Sequence, residues 1–249
     1  MSFDVDRAAA ALVDGRRKRR LVASFAPNPA SVGDAYAVQN SAARSLGPIG
    51  GWKIGAKSPT DLPNAAPLFA DLMRPSPAVW DSASLHMIGI EAEIAFRIAR
   101  TIPSRSTPLS RNEAWASIGS VHAAIEIVDT RLSDWRDADR LWLLADNQSN
   151  GGFVYDPNGV AWEEQDFSDA AVRLSVNGAT IAAGRGGNTA GDPRWILHWL
   201  LDHCARHRGG VAAGALVTTG SYTGMAFVEA GAAVEATVDG IGSVQVRFP

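Results

Sequence analysis

From residue 85 onward, hydrophobic and polar residues follow a pattern typical of β-strands, with short apolar or alternating runs separated by glycine and proline. The predicted strands cover residues 88–99, 121–128, 216–219, 233–238 and 243–248. Two more runs, residues 172–176 and 179–183, flank Asn177-Gly178, a dipeptide that favours a tight hairpin turn. We therefore predict a β-rich region over residues 81–249.

The N-terminal part of the chain has the spacing of amphipathic helices instead. Residues 4–46 are predicted to be helical, with an alanine-rich stretch at 8–13 and a second stretch at 35–46 that follows Ser31. Residues 47–81 are rich in glycine and proline and show little periodicity, which predicts loops. Residues 1–80 are therefore predicted to form helices and loops.

Three shorter helices are predicted within the β-rich region. One begins at Ser110, which makes a capping-box pattern with Glu113. Another covers residues 140–145, and the third begins at Asp192-Pro193 and ends before Gly209. Because no repeat, low-complexity segment or linker divides the sequence, we predict a single α+β domain over residues 1–249.

Composition and charge narrow the classes of protein. Hydrophobic residues make up 46% and charged residues 20% of the 249 positions, which is the composition of a folded globular chain and not of a disordered one. The net charge of −3 argues against a general nucleic-acid-binding surface. The basic run at residues 16–20 resembles a nucleic-acid patch, but in an acidic chain we interpret it as the solvated end of a helix.

The single cysteine, Cys204, excludes a disulfide within the chain and a cysteine-rich zinc site. No apolar run approaches the ~20 residues that span a bilayer, so we expect no membrane segment. The first residues are acidic where a secretory signal would be basic. Together these features predict a cytoplasmic protein.

Lysine is rare in this chain, which has 20 arginines and three lysines, Lys18, Lys53 and Lys57. Two of them lie in one glycine-rich segment, where Gly51 and Gly55 flank Lys53 and permit a close approach of the backbone to a ligand. An ammonium group can hold a carboxylate or polarise an oxygen. Lys53 is therefore either a functional group or a loop lysine in a salt bridge.

Three carboxylates have a pattern that suits a metal ion. Glu91 and Glu93 are two residues apart on a predicted strand and point to the same face, while Glu126 lies between apolar residues of another strand. Three carboxylates without cysteine suit a hard divalent cation, Mg²⁺ or Mn²⁺. The alternative is a solvated face on which Glu91 and Glu93 oppose arginines across the sheet.

Residues 145–152 form a dense polar run, Ala-Asp-Asn-Gln-Ser-Asn-Gly-Gly, which is either a binding loop or only a turn. The sequence lacks a nucleophile elbow, a phosphate-binding P-loop, the glycine spacing of a dinucleotide site and the HExxH zinc motif.

In eight segments taken in order, the chain resembles the fumarylacetoacetate hydrolase superfamily, and most closely its branch of 2-keto-4-pentenoate (2-hydroxypenta-2,4-dienoate) hydratases and 4-oxalocrotonate decarboxylases. The segments are residues 34–39, 51–59 (GWKIGAKSP), 90–96 (IEAEIAF), 123–132 (AAIEIVDTRL), 145–154 (ADNQSNGGFV), 191–200, 217–224 (VTTGSYTG) and 239–248. The resemblance implies a fumarylacetoacetase-like core, a mixed β-sandwich or roll, with a helical N-terminal part.

The resemblance also implies roles for individual residues. Glu91, Glu93 and Glu126 match the ligands of Mg²⁺ or Mn²⁺, and Lys53 matches an active-site lysine. Asp71 is the one acidic residue where the family often has two adjacent aspartates, and it is expected to move protons or orient water. Substrate contacts are expected from a further set: Ser149, Asp146, Asn147 and Lys57.

The implied activity is a metal-dependent hydratase that adds water to a 2-hydroxy-2,4-dienoate and gives a 4-hydroxy-2-oxo acid in aromatic meta-cleavage or related catabolism. A decarboxylase or an acylpyruvate hydrolase of the same superfamily is the alternative, although no histidine precedes His86 to activate water in a hydrolase. The missing second aspartate also leaves open a non-catalytic binding subunit. The resemblance further implies a small 2-oxo acid substrate, a homo-oligomer and possible association with a pathway enzyme.

Overall fold

The computed structural model describes residues 2–249, and within them the chain forms five α-helices and sixteen strands. The helices are α1 (Val5–Lys18), α2 (Val32–Leu46), α3 (Arg111–Ser117), α4 (Arg140–Ala145) and α5 (Arg194–His207). The strands are β1 (Ile49–Gly55), β2 (Asn64–Phe69), β3 (Met73–Pro75), β4 (Ala78–Val79), β5 (Gly89–Ile98), β6 (Ile102–Pro103), β7 (Ile118–Val128), β8 (Asn150–Tyr155), β9 (Val160–Ala161), β10 (Ala171–Val176), β11 (Ala179–Arg185), β12 (Gly210–Val211), β13 (Leu216–Ser221), β14 (Ala226–Phe227), β15 (Ala233–Val238) and β16 (Gly242–Arg247).

Two sheets provide the framework. The larger has the order β2-β1-β13-β5-β7-β8-β3, with β14 paired to β5 and β9 to β7. The smaller has the order β11-β10-β15-β16-β4, and β6 and β12 form a separate ladder. The predicted α+β class and sandwich-like core are confirmed.

The main core lies between the two sheets. Successive side chains along the strands of the larger sheet point to opposite faces, and the apolar ones face the smaller sheet. Ile90, Ile94 and Phe96 of β5 are fully buried in the same apolar cluster as Leu174 of β10 and Val244 of β16. Burying an apolar side chain of this size stabilises the fold by roughly 1.5–3 kcal/mol. The intervening residues of β5 point to the opposite face of the larger sheet, and these include Glu91 and Glu93.

Helices α1, α2 and α4 form a second apolar cluster, in which Trp142 and Val38 are buried. Gln39 of α2 links these helices to the larger sheet. Its amide nitrogen donates to the carbonyl oxygen of Ala65 in β2 at 3.1 Å and to that of Leu144 in α4 at 2.6 Å. In the described part of the chain, residues 2–249, no helix has the length and apolar character that crossing a membrane requires.

The loop prediction for residues 47–81 is wrong over β1 and β2, which pair with each other and, through β1, with β13. The glycines of this segment predict a loop because glycine is uncommon in strands. A Cβ atom on Gly51 would lie 2.3 Å from the carbonyl oxygen of Leu216, so only glycine fits where β1 approaches β13. The helical prediction for residues 4–46 is also wrong between α1 and α2.

Candidate metal centre

Three carboxylates meet on the face of the larger sheet that points away from the main core. Strands β5 and β7 are antiparallel, and their register places Glu91 directly opposite Glu126. Glu93 lies two residues further along β5 on the same face, opposite Ala124. One ligand oxygen from each side chain lies within 4.8 Å of the others. Glu93 and Glu126 are buried, so the cluster is not a solvated face.

Side chains from neighbouring strands orient these carboxylates. Lys53 of β1 donates from Nζ to Oε1 of Glu126 and, at 3.2 Å, to the carbonyl oxygen of Gln148. Thr218 of β13 donates from Oγ1 to Oε2 of Glu93. The site is therefore held by strands that are far apart in sequence and adjacent in the sheet.

The carboxylates carry more negative charge than Lys53 balances. Burial and the charge of Glu126 raise the pKa of Glu91 to about 7, and the same causes raise that of Glu93 well above its usual range. Burial alone would lower the pKa of Lys53, but the charges of Glu126, Glu91 and Glu93 outweigh it and raise that pKa.

The donor set fits a hard divalent cation. Oε2 of Glu126 is buried and has no hydrogen-bond partner among residues 2–249. Such an orphaned acceptor is costly unless a cation or water satisfies it. Three carboxylates that face one another, with an unused oxygen among them, form an arrangement that Mg²⁺, Mn²⁺ or Ca²⁺ would complete.

A left-handed turn closes one side of the cluster. Asn147, Gln148 and Ser149 have φ angles of 52°, 51° and 57°, a conformation that costs a non-glycine residue about 1–2 kcal/mol. The turn aims the Gln148 carbonyl at Lys53, and Oγ of Ser149 accepts from Nε1 of Trp135 at 3.1 Å. Three strained residues beside buried charges indicate a functional loop.

The turn is anchored by a buried ion pair. Arg131 donates from Nε to Oδ1 of Asp146 at 2.5 Å, and its Nη1 donates to the carbonyl oxygen of Asn150 at 2.8 Å. Arg16 donates to the same carbonyl at 2.8 Å. Nδ2 of Asn150 in turn donates to Oε1 of Glu126 at 3.0 Å. Asn150 therefore links the two arginines to the carboxylate cluster.

The predicted site residues are not all brought together. Asp146 lies behind the turn and contacts Arg131, while Asn147 is buried and Ser149 holds Trp135. Asp71 is exposed in a short 3₁₀ turn after β2. Lys57 is exposed after β1, and across residues 2–249 neither Asp71 nor Lys57 makes an ion pair. Their roles at the substrate stay predictions.

Sequence reasoning missed several residues that support the site, namely Thr218, Asn150, Arg131, Arg16 and Trp135. The signal for Thr218 was available, because alternation along β13 puts its polar side chain on the buried face opposite Val217. The signal for Arg16 was hidden, because its run of basic residues is typical of an exposed helix end. Burial, followed by the charge of Arg131, lowers the pKa of Arg16 to about 9.

Comparison with known proteins supports the same family assignment. The family described as fumarylacetoacetate (FAA) hydrolase C-terminal matches residues 39–248. A 2-keto-4-pentenoate hydratase of Burkholderia vietnamiensis is 31% identical over 225 residues, 86% of this chain and 85% of the relative. A 4-oxalocrotonate decarboxylase of Pseudomonas sp is 29% identical over 62% of this chain and 58% of its own length. The structure of 4-oxalocrotonate decarboxylase from Pseudomonas putida G7, complexed with magnesium and adipate, superimposes with a TM-score of 0.86 at 25% identity, covering 98% of this chain and 97% of that chain.

Proposed function

The chain belongs to the fumarylacetoacetate hydrolase family, and from that premise we propose that it is a divalent-metal-dependent hydratase. Its reaction would add water to a 2-hydroxy-2,4-dienoate of the 2-keto-4-pentenoate type and give a 4-hydroxy-2-oxo acid, in aromatic meta-cleavage or related catabolism. The observation that carries the proposal is the buried carboxylate cluster beside Lys53, with its unsatisfied Glu126 oxygen. The hydratase relatives at about 30% identity support the choice of reaction.

Glu91, Glu93 and Glu126 would hold Mg²⁺ or Mn²⁺. When bound, such a cation supplies Lewis-acid stabilisation for negative charge on the oxygen of a 2-oxo acid whose neighbouring carbon gains or loses a proton. The related decarboxylase is complexed with magnesium, which supports a divalent cation for this chain.

Lys53 is the group best placed to bind the substrate's anionic end. An ammonium has three donors, and Glu126 and the Gln148 carbonyl take two of them. The third is available for a carboxylate or enolate oxygen above the sheet. Because the neighbouring carboxylates keep its pKa raised, Lys53 stays protonated at neutral pH and acts as a fixed positive charge.

Asp71 would transfer protons or orient water. The charge of Asp71 opposes the lowering of the Arg16 pKa, so the two side chains are near each other. Arg16 also donates to the Asn150 carbonyl, and this proximity supports the proposal. Its exposed position leaves it free to exchange protons with solvent.

Replacing Asp71 with asparagine is expected to lower kcat about 10²–10⁴-fold, because an amide cannot transfer the proton. Magnesium affinity should stay within about twofold, since Asp71 is not one of the three clustered carboxylates. Asp61→Asn, at another exposed aspartate, is the matched control. Steady-state kinetics and metal calorimetry on both variants test the assignment, and unchanged kcat in Asp71→Asn would assign proton transfer to another group.

The decisive assay of the reaction follows dienol absorbance in the ultraviolet. Metal-stripped protein is given 2-hydroxypenta-2,4-dienoate with and without Mg²⁺, and the product is identified by NMR. Magnesium-dependent conversion to 4-hydroxy-2-oxopentanoate is the expected result. Conversion without metal, or no conversion at all, contradicts the hydratase proposal.

A decarboxylase is the second candidate, favoured by the match to 4-oxalocrotonate decarboxylase over nearly the whole length of both chains. Its substrate carries a second carboxylate, so the same assay with that dicarboxylate distinguishes the two by release of carbon dioxide. Release of a carboxylic acid from an acylpyruvate would indicate the hydrolase, and metal binding without turnover of any of these compounds would indicate a binding subunit.

We also propose that the protein is a homo-oligomer with a small 2-oxo acid as substrate, and that it can associate with a pathway enzyme. The names of the related enzymes support the small-molecule substrate, and the homo-oligomer rests on the family resemblance. A mass well above the 26.3 kDa of one chain, measured by light scattering, is the expected result. The cytoplasmic location also stays a prediction.

A further inference from the structure

Two apolar side chains lie beside the carboxylate cluster without belonging to it. Strand β14 pairs with the start of β5, with Ala226 opposite Ile90 and Phe227 opposite Gly89. Continuing this antiparallel register by one residue sets Met225 beside Glu91. A Cβ atom on Gly89 would lie 3.1 Å from Sδ of Met225, so the methionine covers the strand next to the carboxylates.

Trp135 extends this surface to the other functional element of the site. Its ring meets that of Phe227 edge-on, with the centroids 6.1 Å apart. Its Nε1 donates to Oγ of Ser149 at 3.1 Å, in the turn whose Gln148 carbonyl accepts from Lys53. Trp135, Met225 and Phe227 therefore form one continuous surface beside the carboxylates, which we call the apolar wall.

The large apolar side chains of the apolar wall are partly exposed to solvent, which is unfavourable for groups of this kind. Phe227 is 51% and Met225 39% exposed, although both lie next to buried charges. Single exposed apolar residues are common, but a contiguous group at the margin of a polar centre is typical of a ligand-binding surface.

Arginine side chains lie on one side of the carboxylates, and Met225 and Phe227 lie on the other. β14 and β7 lie on opposite edges of β5, and β8 lies beyond β7. The guanidinium groups of the half-buried Arg16 and the buried Arg131 both donate to the Asn150 carbonyl in β8, on the far side of the carboxylates from Met225 and Phe227. An elongated substrate with one anionic end and one apolar end matches this distribution of charge.

We propose that the apolar wall binds the hydrocarbon tail of the substrate and determines specificity, selecting 2-hydroxydienoates with a short apolar tail over those that end in a second carboxylate. This inference rests on the proposed function, which it extends to the substrate class. Trp135 contributes a rigid ring, while the flexible Met225 adapts to tail length. A terminal carboxylate placed against these three side chains would lose water without gaining a partner.

The test compares three substrates in the magnesium-loaded enzyme: 2-hydroxypenta-2,4-dienoate, 2-hydroxyhexa-2,4-dienoate, and the six-carbon dienoate with a terminal carboxylate. We expect kcat/KM to rise roughly fourfold for the added methyl group, as for one buried methylene, and to fall at least about tenfold for the carboxylate. Phe227→Ala should remove most of the gain from the methyl group. Val79→Ala, at a 60% exposed residue of β4, is the matched control and should keep the wild-type ratios.

A binding measurement forms the second arm of the test and checks this inference independently of the proposed reaction. Calorimetry measures the affinity of the magnesium-loaded protein for 2-oxobutanoate and 2-oxohexanoate, which need no turnover. Tighter binding of the longer acid in wild type but not in Phe227→Ala supports the apolar wall even if no dienoate is hydrated. Normal hydration with no dependence on tail length in either arm would overturn the apolar wall and leave the hydratase standing.

Two further outcomes would also overturn it. The Arg136 guanidinium lies 5.8 Å from the Trp135 ring centroid, so a preference for the dicarboxylate that Arg136→Gln abolishes would mean that the tail is anionic. A change of oligomer mass in Phe227→Ala but not in Val79→Ala, measured by light scattering, would mean that a second copy of the chain covers these side chains.

Discussion

Replacing Glu93 with glutamine is expected to abolish magnesium binding and to lower kcat/KM at least about a hundredfold. The change removes one of three clustered carboxylates, and loss of even an outer-shell partner of a metal costs 10–100-fold. Burial also raises the pKa of Glu93 well above its usual range, so the metal-free protein favours the neutral, protonated side chain, which a neutral amide replaces without loss of charge. The metal-free variant should therefore melt at the wild-type temperature or higher, because the amide oxygen still accepts from Thr218.

Calorimetric titration with Mg²⁺, thermal melts with and without metal, and kinetics measure these three effects together. Magnesium should raise the melting temperature of wild type and leave that of Glu93→Gln unchanged, because only a ligand that binds the folded state stabilises it. Glu235→Gln, at an exposed glutamate of β15, is the control and should match wild type in every measurement. Wild-type turnover in Glu93→Gln would rule out the metal centre.

Lys53→Met is expected to lower turnover about 10²–10³-fold, the loss typical of one preorganised donor to developing negative charge. Methionine fills similar volume but leaves Glu126 buried without its cation. Breaking such a pair costs about 3–5 kcal/mol, so the metal-free variant should melt at a lower temperature than wild type. Magnesium should restore much of the lost stability, since the cation would neutralise the same carboxylate.

Lys18→Met is the matched control, because Lys18 is exposed on α1 and, among residues 2–249, pairs only with Asp14 of its own helix. It should keep wild-type turnover and melt within about 1 °C of wild type, given the small contribution of surface ion pairs. Melting curves with increasing Mg²⁺ and steady-state kinetics provide the comparison. A Lys53→Met protein that retains full activity once magnesium has restored its stability would assign Lys53 a structural role.

The sequence predicted the strands that carry the carboxylates better than the strand that carries the lysine. Alternation in β5 is regular, so the pattern of residues alone assigns Glu91 and Glu93 to one face. The glycines of β1 lower its strand propensity and predict a loop, whereas the approach of β13 requires Gly51 to lack a side chain. Local propensity cannot report a requirement imposed by a strand that follows more than 150 residues later.

The sequence alone also could not predict the register of β5 and β7 or the strained backbone of the turn. The direct pairing of Glu91 with Glu126 depends on how β5 and β7 align, and a shift of one residue would move the carboxylate of Glu126 to the other face. The polar run at residues 145–152 fits many turn types equally well. Asn147, Gln148 and Ser149 are all left-handed in a turn that Arg131 holds at Asp146, Lys53 at Gln148 and Trp135 at Ser149, and only the folded chain provides these contacts.

The order of strands in the larger sheet bears on how the protein is made. Lys53 and all three carboxylates are synthesised in the first half of the chain or just after it, yet β13 lies between β1 and β5. While a ribosome has yet to add residues 216–221, β1 has no partner through which to join β5. Closing this gap requires contacts between distant parts of the chain, which form slowly. The metal centre is thus a late product of folding, and a nascent chain that stalls before β13 keeps its lysine and its carboxylates on separate pieces of sheet.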